Sequence, residues 1–266
     1  KKRKPSPRIK SRQFALVNAT KEIVKGAPLG TLLFTAGDFT NKKNLDLLFL
    51  QHKKITIQSA GKPPLTYAGP AVPRLVRVFR EQGKKQDSFF VAWGRGCQDR
   101  SAGMSLGLYR MKGNKIKGVS LYTPKTDRAD VQDLYMGSDG VLYLAHFLSK
   151  YNVAVVAFDP PYNKPPRTIT QAKMITKIGE TILQKKTELV FGRLYGDTAG
   201  SDGDLYLSAD KGKRVLLPSK RGVRSVLAAD LVAPKGTELY VGDGWHKNYG
   251  QIARAHLSQI LFSGGT

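Results

Sequence analysis

Apolar residues in this chain come in short runs separated by polar punctuation. Leu47–Leu50, Ile55–Ile57, Phe89–Trp93, Val141–Leu144, Val153–Phe158 and Leu205–Leu207 are each bounded by Gly, Asp, Asn, Lys or Pro. Runs this short, alternating or continuous, predict β-strands rather than helices. The best helical candidate is 171–184 (QAKMITKIGETILQ), where Met174 and Ile178 stand at helical spacing. Ile175 and Ile182 in the same segment also fit strands with a turn at Gly179. The expected class is therefore all-β.

One phrase recurs. Residues 38–50 (DFTNKKNLDLLFL), 197–208 (DTAGSDGDLYLS) and 230–244 (DLVAPKGTELYVGDG) each run Asp, polar loop, acid, apolar strand. Weaker copies align Ser88–Gly94 with Glu238–Gly244 and Asp133–Gly137 with Glu238–Gly242. The repeat strands then fall near residues 47, 89, 134, 205 and 239, at intervals of 42, 45, 71 and 34 residues. The longest interval leaves room for a degenerate copy around 151–159 (YNVAVVAFD). A unit of roughly 34–50 residues holding about four short strands is the size of a propeller blade. The expected architecture is a β-propeller of about six or seven blades, incomplete as given. A β-sandwich is the runner-up, but it leaves the repeated phrase unexplained.

The phrase resembles the FG-GAP/VCBS type of repeat, found in integrin-α-like propellers and in many bacterial extracytoplasmic proteins. The matching residues are Ala36-Gly37-Asp38-Phe39 with Leu45-Asp46-Leu47, Gly196-Asp197 with Gly203-Asp204-Leu205-Tyr206, and Ala229-Asp230-Leu231 with Glu238-Leu239-Tyr240-Val241. The likeness covers about residues 30–262. It implies a propeller, an extracytoplasmic setting in the periplasm or at the cell surface, and loops of the kind that often bind calcium in that family. Calcium takes six to eight oxygen ligands, several of them carboxylates. Lys42 and Lys43 occupy ligand positions of the first loop, and Asp230 is the only acid of the third before Glu238. Only Asp197, Asp202 and Asp204, with the Ser201 hydroxyl, are dense enough to be a calcium candidate, and otherwise no cofactor is expected. For Asp38 and Asp230 the preferred reading is an Asp that caps its own turn.

Charge changes the picture of partners. Lys and Arg number 44 against 20 acids, a net charge of +24 over 266 residues. The arm 1–12 (KKRKPSPRIKSR) holds seven basic residues and is expected to be a disordered tail. Removing its charge still leaves about +17 on residues 13–266, the expected propeller domain, which is also expected to continue past residue 266. Such a field attracts polyanions: cell-wall polymer, acidic glycan, an anionic membrane surface, an acidic protein or nucleic acid. The competing explanation is a proteome whose proteins all run basic. No apolar run approaches the roughly 20 residues of a membrane-spanning helix. Cys97 is the only cysteine, so neither an intrachain disulfide nor a Cys-based metal site can form.

Motifs for catalysis are weak, and no enzymatic activity is expected. Gly103-Met104-Ser105-Leu106-Gly107 fits G-x-S-x-G, but a polar loop precedes it and a strand-like LGLYRM follows, where a nucleophile elbow needs a strand before the Ser and a helix after it. His52, His146, His246 and His256 show no metal-ligand spacing. The candidate binding residues lie in the loops after the repeated strand. Trp245, His246, Lys247 and Tyr249 in one loop, and Trp93 with Arg95 in its sibling, combine rings that can stack on a sugar or base with cations that can hold an anion. Packing of each Trp between blades is the other reading of the same residues. The two functions weighed are thus an extracytoplasmic propeller that binds an acidic partner, and a propeller subunit of a ribonucleoprotein or DNA complex.

Overall fold

A computed structural model describes residues 27–40, 45–94, 103–126, 129–149, 151–183, 186–194, 204–207, 214–216, 222–229, 238–243 and 256–261. Within these the chain is all-β, and its strands form five small antiparallel sheets. Sheet 1 holds β1 (Thr31–Gly37), β2 (Asp46–Gln51), β3 (Lys54–Gln58) and β4 (Leu65–Ala68). Sheet 2 holds β5 (Val72–Arg80), β6 (Asp87–Gly94), β7 (Ser105–Lys112) and β8 (Lys115–Tyr122). Sheet 3 holds β9 (Val131–Met136), β10 (Leu142–Phe147), β11 (Asn152–Phe158) and β12 (Arg167–Lys173). Sheet 4 holds β13 (Ile175–Leu183), β14 (Lys186–Arg193), β15 (Asp204–Leu207) and β16 (Arg214–Leu216), and sheet 5 holds β17 (Val223–Ala229), β18 (Glu238–Asp243) and β19 (His256–Leu261). In every sheet the strands pair in chain order, so each sheet is a simple meander.

The sheets pack on one another in chain order, and strand alternation explains how. Successive side chains of a strand point to opposite faces. On β6, Phe89, Val91 and Trp93 enter a core shared with Leu48, Leu50, Ile55 and Ile57 of sheet 1. Phe90 and Ala92, between them, enter a second core with Leu134, Leu142, Leu144 and Phe158 of sheet 3. On β10 the same division sends Tyr143 and Ala145 to a third core with Ile175, Ile178 and Phe191 of sheet 4. Val190 and Leu205 then meet Val223, Leu239 and Val241 of sheet 5 in a fourth. Central strands such as β6 read as continuous apolar runs because both of their faces are covered.

The first strands are the common seam. β1 meets β5, β5 meets β9, β9 meets β13 and β13 meets β17. Each junction carries polar links as well as packing. The Asp38 N–H donates to the Asp87 carboxylate at 2.8 Å, while the Asp87 N–H donates to the Asp38 carbonyl at 2.8 Å, joining sheets 1 and 2. Arg77 Nε donates to the Leu134 carbonyl at 2.5 Å. The Ile178 N–H donates to the Asp133 carboxylate at 2.8 Å, and Thr176 Oγ1 to the Val223 carbonyl at 2.8 Å.

Several sequence expectations are corrected by the strand order. Asp46 and Glu238 open the second strands of their sheets, and Ser88 follows Asp87 at the start of another. Asp133, however, lies on β9, a first strand, and Asp204 opens β15, a third strand. The 151–159 segment is β11, the third strand of sheet 3, and not a repeat of its own. The reason is that every strand of a meander leaves a turn, and those that begin on an acid carry the same acid-then-apolar signature whatever their place in the sheet. The described part of the 171–184 segment is strand: β12 ends and β13 begins around Met174, which takes the left-handed conformation (φ 52°). Gly179 is no turn; it lies inside β13, where a Cβ would press on Val226.

Candidate binding surface

Trp93 sits near the end of β6 and turns towards sheet 1, fully buried. Its indole Nε1 donates to Tyr109 Oη at 2.9 Å. Tyr109 stacks on Phe89 with ring centroids 5.4 Å apart and meets Tyr67 edge-on, also at 5.4 Å. Glycines make the room for these rings. A Cβ on Gly69 would collide with the indole, and one on Gly107 or Gly118 would come within 2.7 or 2.6 Å of Tyr109. Burial pushes the Tyr109 hydroxyl up to about 12, although the Trp93 bond pulls the other way. The geometry gives Trp93 the packing role between sheets that competed with ligand binding in the sequence. Arg95, Trp245, His246, Lys247 and Tyr249 lie outside the described residues.

Asp204 also has a structural partner. It is buried at the start of β15 and takes a bidentate pair of hydrogen bonds from the buried guanidinium of Arg193 on β14, its cross-strand neighbour. A carboxylate whose two oxygens are both held by a guanidinium is a poor calcium ligand, because the cation occupies the lone pairs and repels a second cation. Asp204 therefore does not fit a calcium site; Asp197 and Asp202 lie outside the described residues. Among the described residues no cluster of three or more His, Cys, Asp or Glu side chains is arranged to hold a metal ion. In the first loop, the buried Asp46 carboxylate takes the Thr40 N–H at 2.8 Å and the Thr40 hydroxyl at 2.9 Å, and the Asp38 carboxylate lies 3.6 Å from Arg80. The acid that opens β2 is thus tied back to Thr40. Ser105 opens β7, and another strand, not a helix, follows it, so the elbow geometry is absent.

What the sequence did not single out is the flank of β8. Among the described residues this strand pairs only with β7 and is the outer edge of sheet 2. A cavity lies on each side of it, and both include Val119, Ser120 and Thr123. One, of about 430 Å³, opens towards sheet 1 beside Tyr67 and Gly118. The other, of about 770 Å³, is walled by Leu121 and Tyr122 and by the Pro161–Pro166 segment, which carries Lys164. Val119 is 56% exposed between them. Residues 103–126 contain Arg110, Lys112, Lys115, Lys117 and Lys125 and not one acid. That acid-free stretch was the available signal, but Lys at alternate positions of an edge strand also reads as ordinary edge protection.

Two polar groups border this region. Glu81 takes both Nε and Nη2 of Arg110, at 2.6 and 2.9 Å, and the Ser88 hydroxyl at 2.6 Å. Burial works against its ionisation, but the Arg110 and Ser88 bonds outweigh it and hold the carboxyl below its ordinary value. His146, on β10, is fully buried, with Nε2 at 3.2 Å from Tyr122 Oη and Nδ1 at 3.1 Å from the Phe147 carbonyl. A carbonyl can only accept, so in the neutral ring Nδ1 carries the proton and Nε2 accepts from Tyr122. Burial lowers the His146 pKa, opposed by the Phe147 bond. The ring is thus a neutral polar tie between sheets 2 and 3.

No family model matches the chain, and a search of curated proteins finds no relative.

Proposed function

We propose that this chain is a non-enzymatic β-propeller binding module whose basic surface contacts an acidic macromolecular partner in an extracytoplasmic setting. The observation that carries the fold part of this reading is the repeated stacking of consecutive meanders through their first strands. A propeller places the first strand of every blade at its axis and the last at its rim. On this reading the five sheets are five of the six or seven blades. The setting rests on the resemblance of the Asp–loop–acid–strand phrase to FG-GAP/VCBS repeats, which is an argument by analogy.

The partner rests on charge. About +17 remains on the body after the arm is set aside, and Lys112, Lys115, Lys117 and Lys125 fall on and around the rim strand β8, while Arg110 of the same stretch is held by Glu81. The reading needs no cofactor and no catalytic group. The test is binding to an acidic glycan, to duplex DNA and to single-stranded RNA over a salt series. Glycan binding that persists at about 0.15 M salt, where the screening length is near 8 Å, is the expected result. Binding that persists for nucleic acid but not for the glycan overturns it in favour of a nucleic-acid complex, for which the steep salt dependence of phosphate contacts is the signature.

A further inference from the structure

β8 ends its sheet, and its alternation can be worked out from the turn before it. A two-residue turn at Gly113-Asn114, with Gly113 in the left-handed region (φ 60°), joins Lys112 to its partner Lys115. The pair flanking a two-residue hairpin turn exchanges hydrogen bonds, and such pairs alternate along the ladder. Lys115, Lys117 and Val119 therefore bond to β7. Ile116, Gly118 and Ser120 direct their N–H and C=O groups outward, to the edge where, among the described residues, no further strand pairs. This open row lies between the two cavities.

We infer that the β8 edge is a docking strand for an extended acidic polypeptide, which adds to sheet 2 as a fifth strand. The inference rests on the proposed reading that the basic surface binds an acidic partner, and it names the partner's class and place. Main-chain hydrogen bonds of the open row supply binding, and the cavities on either face receive alternate side chains of the added strand. The side facing sheet 3 carries the exposed Lys115, Lys117 and Lys164, which suit Asp or Glu. The side facing sheet 1 presents Gly118 and Tyr67, which suit small apolar side chains. Charge complementarity selects the occupant: with no acid in 103–126, a basic or neutral strand gains no electrostatic attraction, whereas an alternating acidic–apolar one matches both faces.

The test uses the whole chain and a fluorescein-labelled probe peptide of alternating Glu and Val. One control peptide has the same sequence with alternate amides N-methylated, which keeps the charge and removes the pairing edge. A sulfated heparin oligosaccharide serves as a plain polyanion. Anisotropy titration at about 0.15 M salt is expected to show binding of the peptide and a loss of about tenfold or more for the N-methylated form. Ser120→Pro removes one outward N–H at a position where an edge strand tolerates proline, and is expected to weaken binding about tenfold. Lys117→Glu leaves the backbone intact and is expected to weaken it several-fold. Equal binding of both peptides overturns the inference, because charge without strand pairing then suffices. Heparin binding with no peptide binding overturns it while leaving the acidic-partner reading standing. If nothing binds, both fall, and the lysines only protect the edge.

Discussion

Asp133 of β9 reaches across the boundary between sheets 3 and 4 and accepts the backbone N–H of Ile178 on β13 at 2.8 Å. Its other carboxylate oxygen lies 3.4 Å from Lys177 Nζ, and the side chain is almost wholly buried. One acid thus ties two sheets through a main-chain donor on the side of β13 away from β14. Truncation to Ala leaves that donor buried and unpaired, at a cost of about 1–3 kcal/mol. Asp133→Ala is expected to lower the denaturant midpoint accordingly. Asp133→Asn, whose amide oxygen still accepts from Ile178, is expected to cost less. Equal losses would show that the Lys177 attraction, not the link to Ile178, carries the energy.

The buried Arg193–Asp204 pair makes a sharper prediction. Removing one member of a buried ion pair strands the other and costs about 3–5 kcal/mol, whereas replacing both with apolar residues of similar volume is often close to neutral. Asp204→Ala is expected to be strongly destabilising, and Arg193→Met with Asp204→Leu far less so, in chemical denaturation. Because Arg193 holds both oxygens of Asp204, millimolar calcium is expected to leave the melting temperature unchanged by way of this residue. A calcium-dependent rise that Asp204→Asn abolishes would contradict the assignment.

Gly69 is expected to tolerate no side chain. A Cβ there would collide with the fully buried Trp93, whose position is fixed by its bond to Tyr109. Overpacking of this kind costs about 1–3 kcal/mol, and Trp93→Ala about 3–5 kcal/mol. Thermal melts of the two variants check this. A Trp93→Ala protein as stable as the parent would return the indole to the candidate binding residues.

His146 sets the expected response to acid. Its pKa in the folded protein is lowered by burial, and in the unfolded chain it lies near 6.5. The unfolded state then binds the proton first as pH falls. The stability linked to His146 is fully present above about pH 6.5 and declines below it. Tyr122 is the titratable group on Nε2, and burial raises its own pKa, so it stays neutral throughout this range. His146→Gln is expected to flatten the pH dependence of the unfolding midpoint between pH 7 and 5. An unchanged slope in that variant would assign the acid sensitivity to other groups.

The class of the fold was legible because strand-length apolar runs and Gly/Asp punctuation report directly on pleated, half-buried backbone. The phase of the repeat was not. Asp46 opens a second strand and Asp204 a third, yet both stand after a polar loop and before an apolar strand, and only pairing partners distinguish them. The packing role of Trp93 was one of two readings, because a Trp before Gly-Arg-Gly looks the same whether it faces a ligand or the Tyr109 hydroxyl. The β8 edge was hidden for another reason. Its significance depends on Pro161–Pro166, far along the chain, forming the opposite wall of a cavity.

Whether the five sheets curve round an axis is the question on which the propeller reading stands. Leu32 on β1 and Leu227 on β17 are more than half exposed, at 52% and 59%, and offer label sites on the first and last of these first strands. Face-packed sheets are spaced about 10 Å apart, so a straight stack puts β1 and β17 about 40 Å apart, while a ring of six or seven blades brings them to about 20 Å. Spin labels on Leu32→Cys and Leu227→Cys, with Cys97→Ser to remove the native thiol, measure that separation by pulsed dipolar spectroscopy. A distribution centred near 20 Å is the predicted result, and one centred near 40 Å would contradict the propeller.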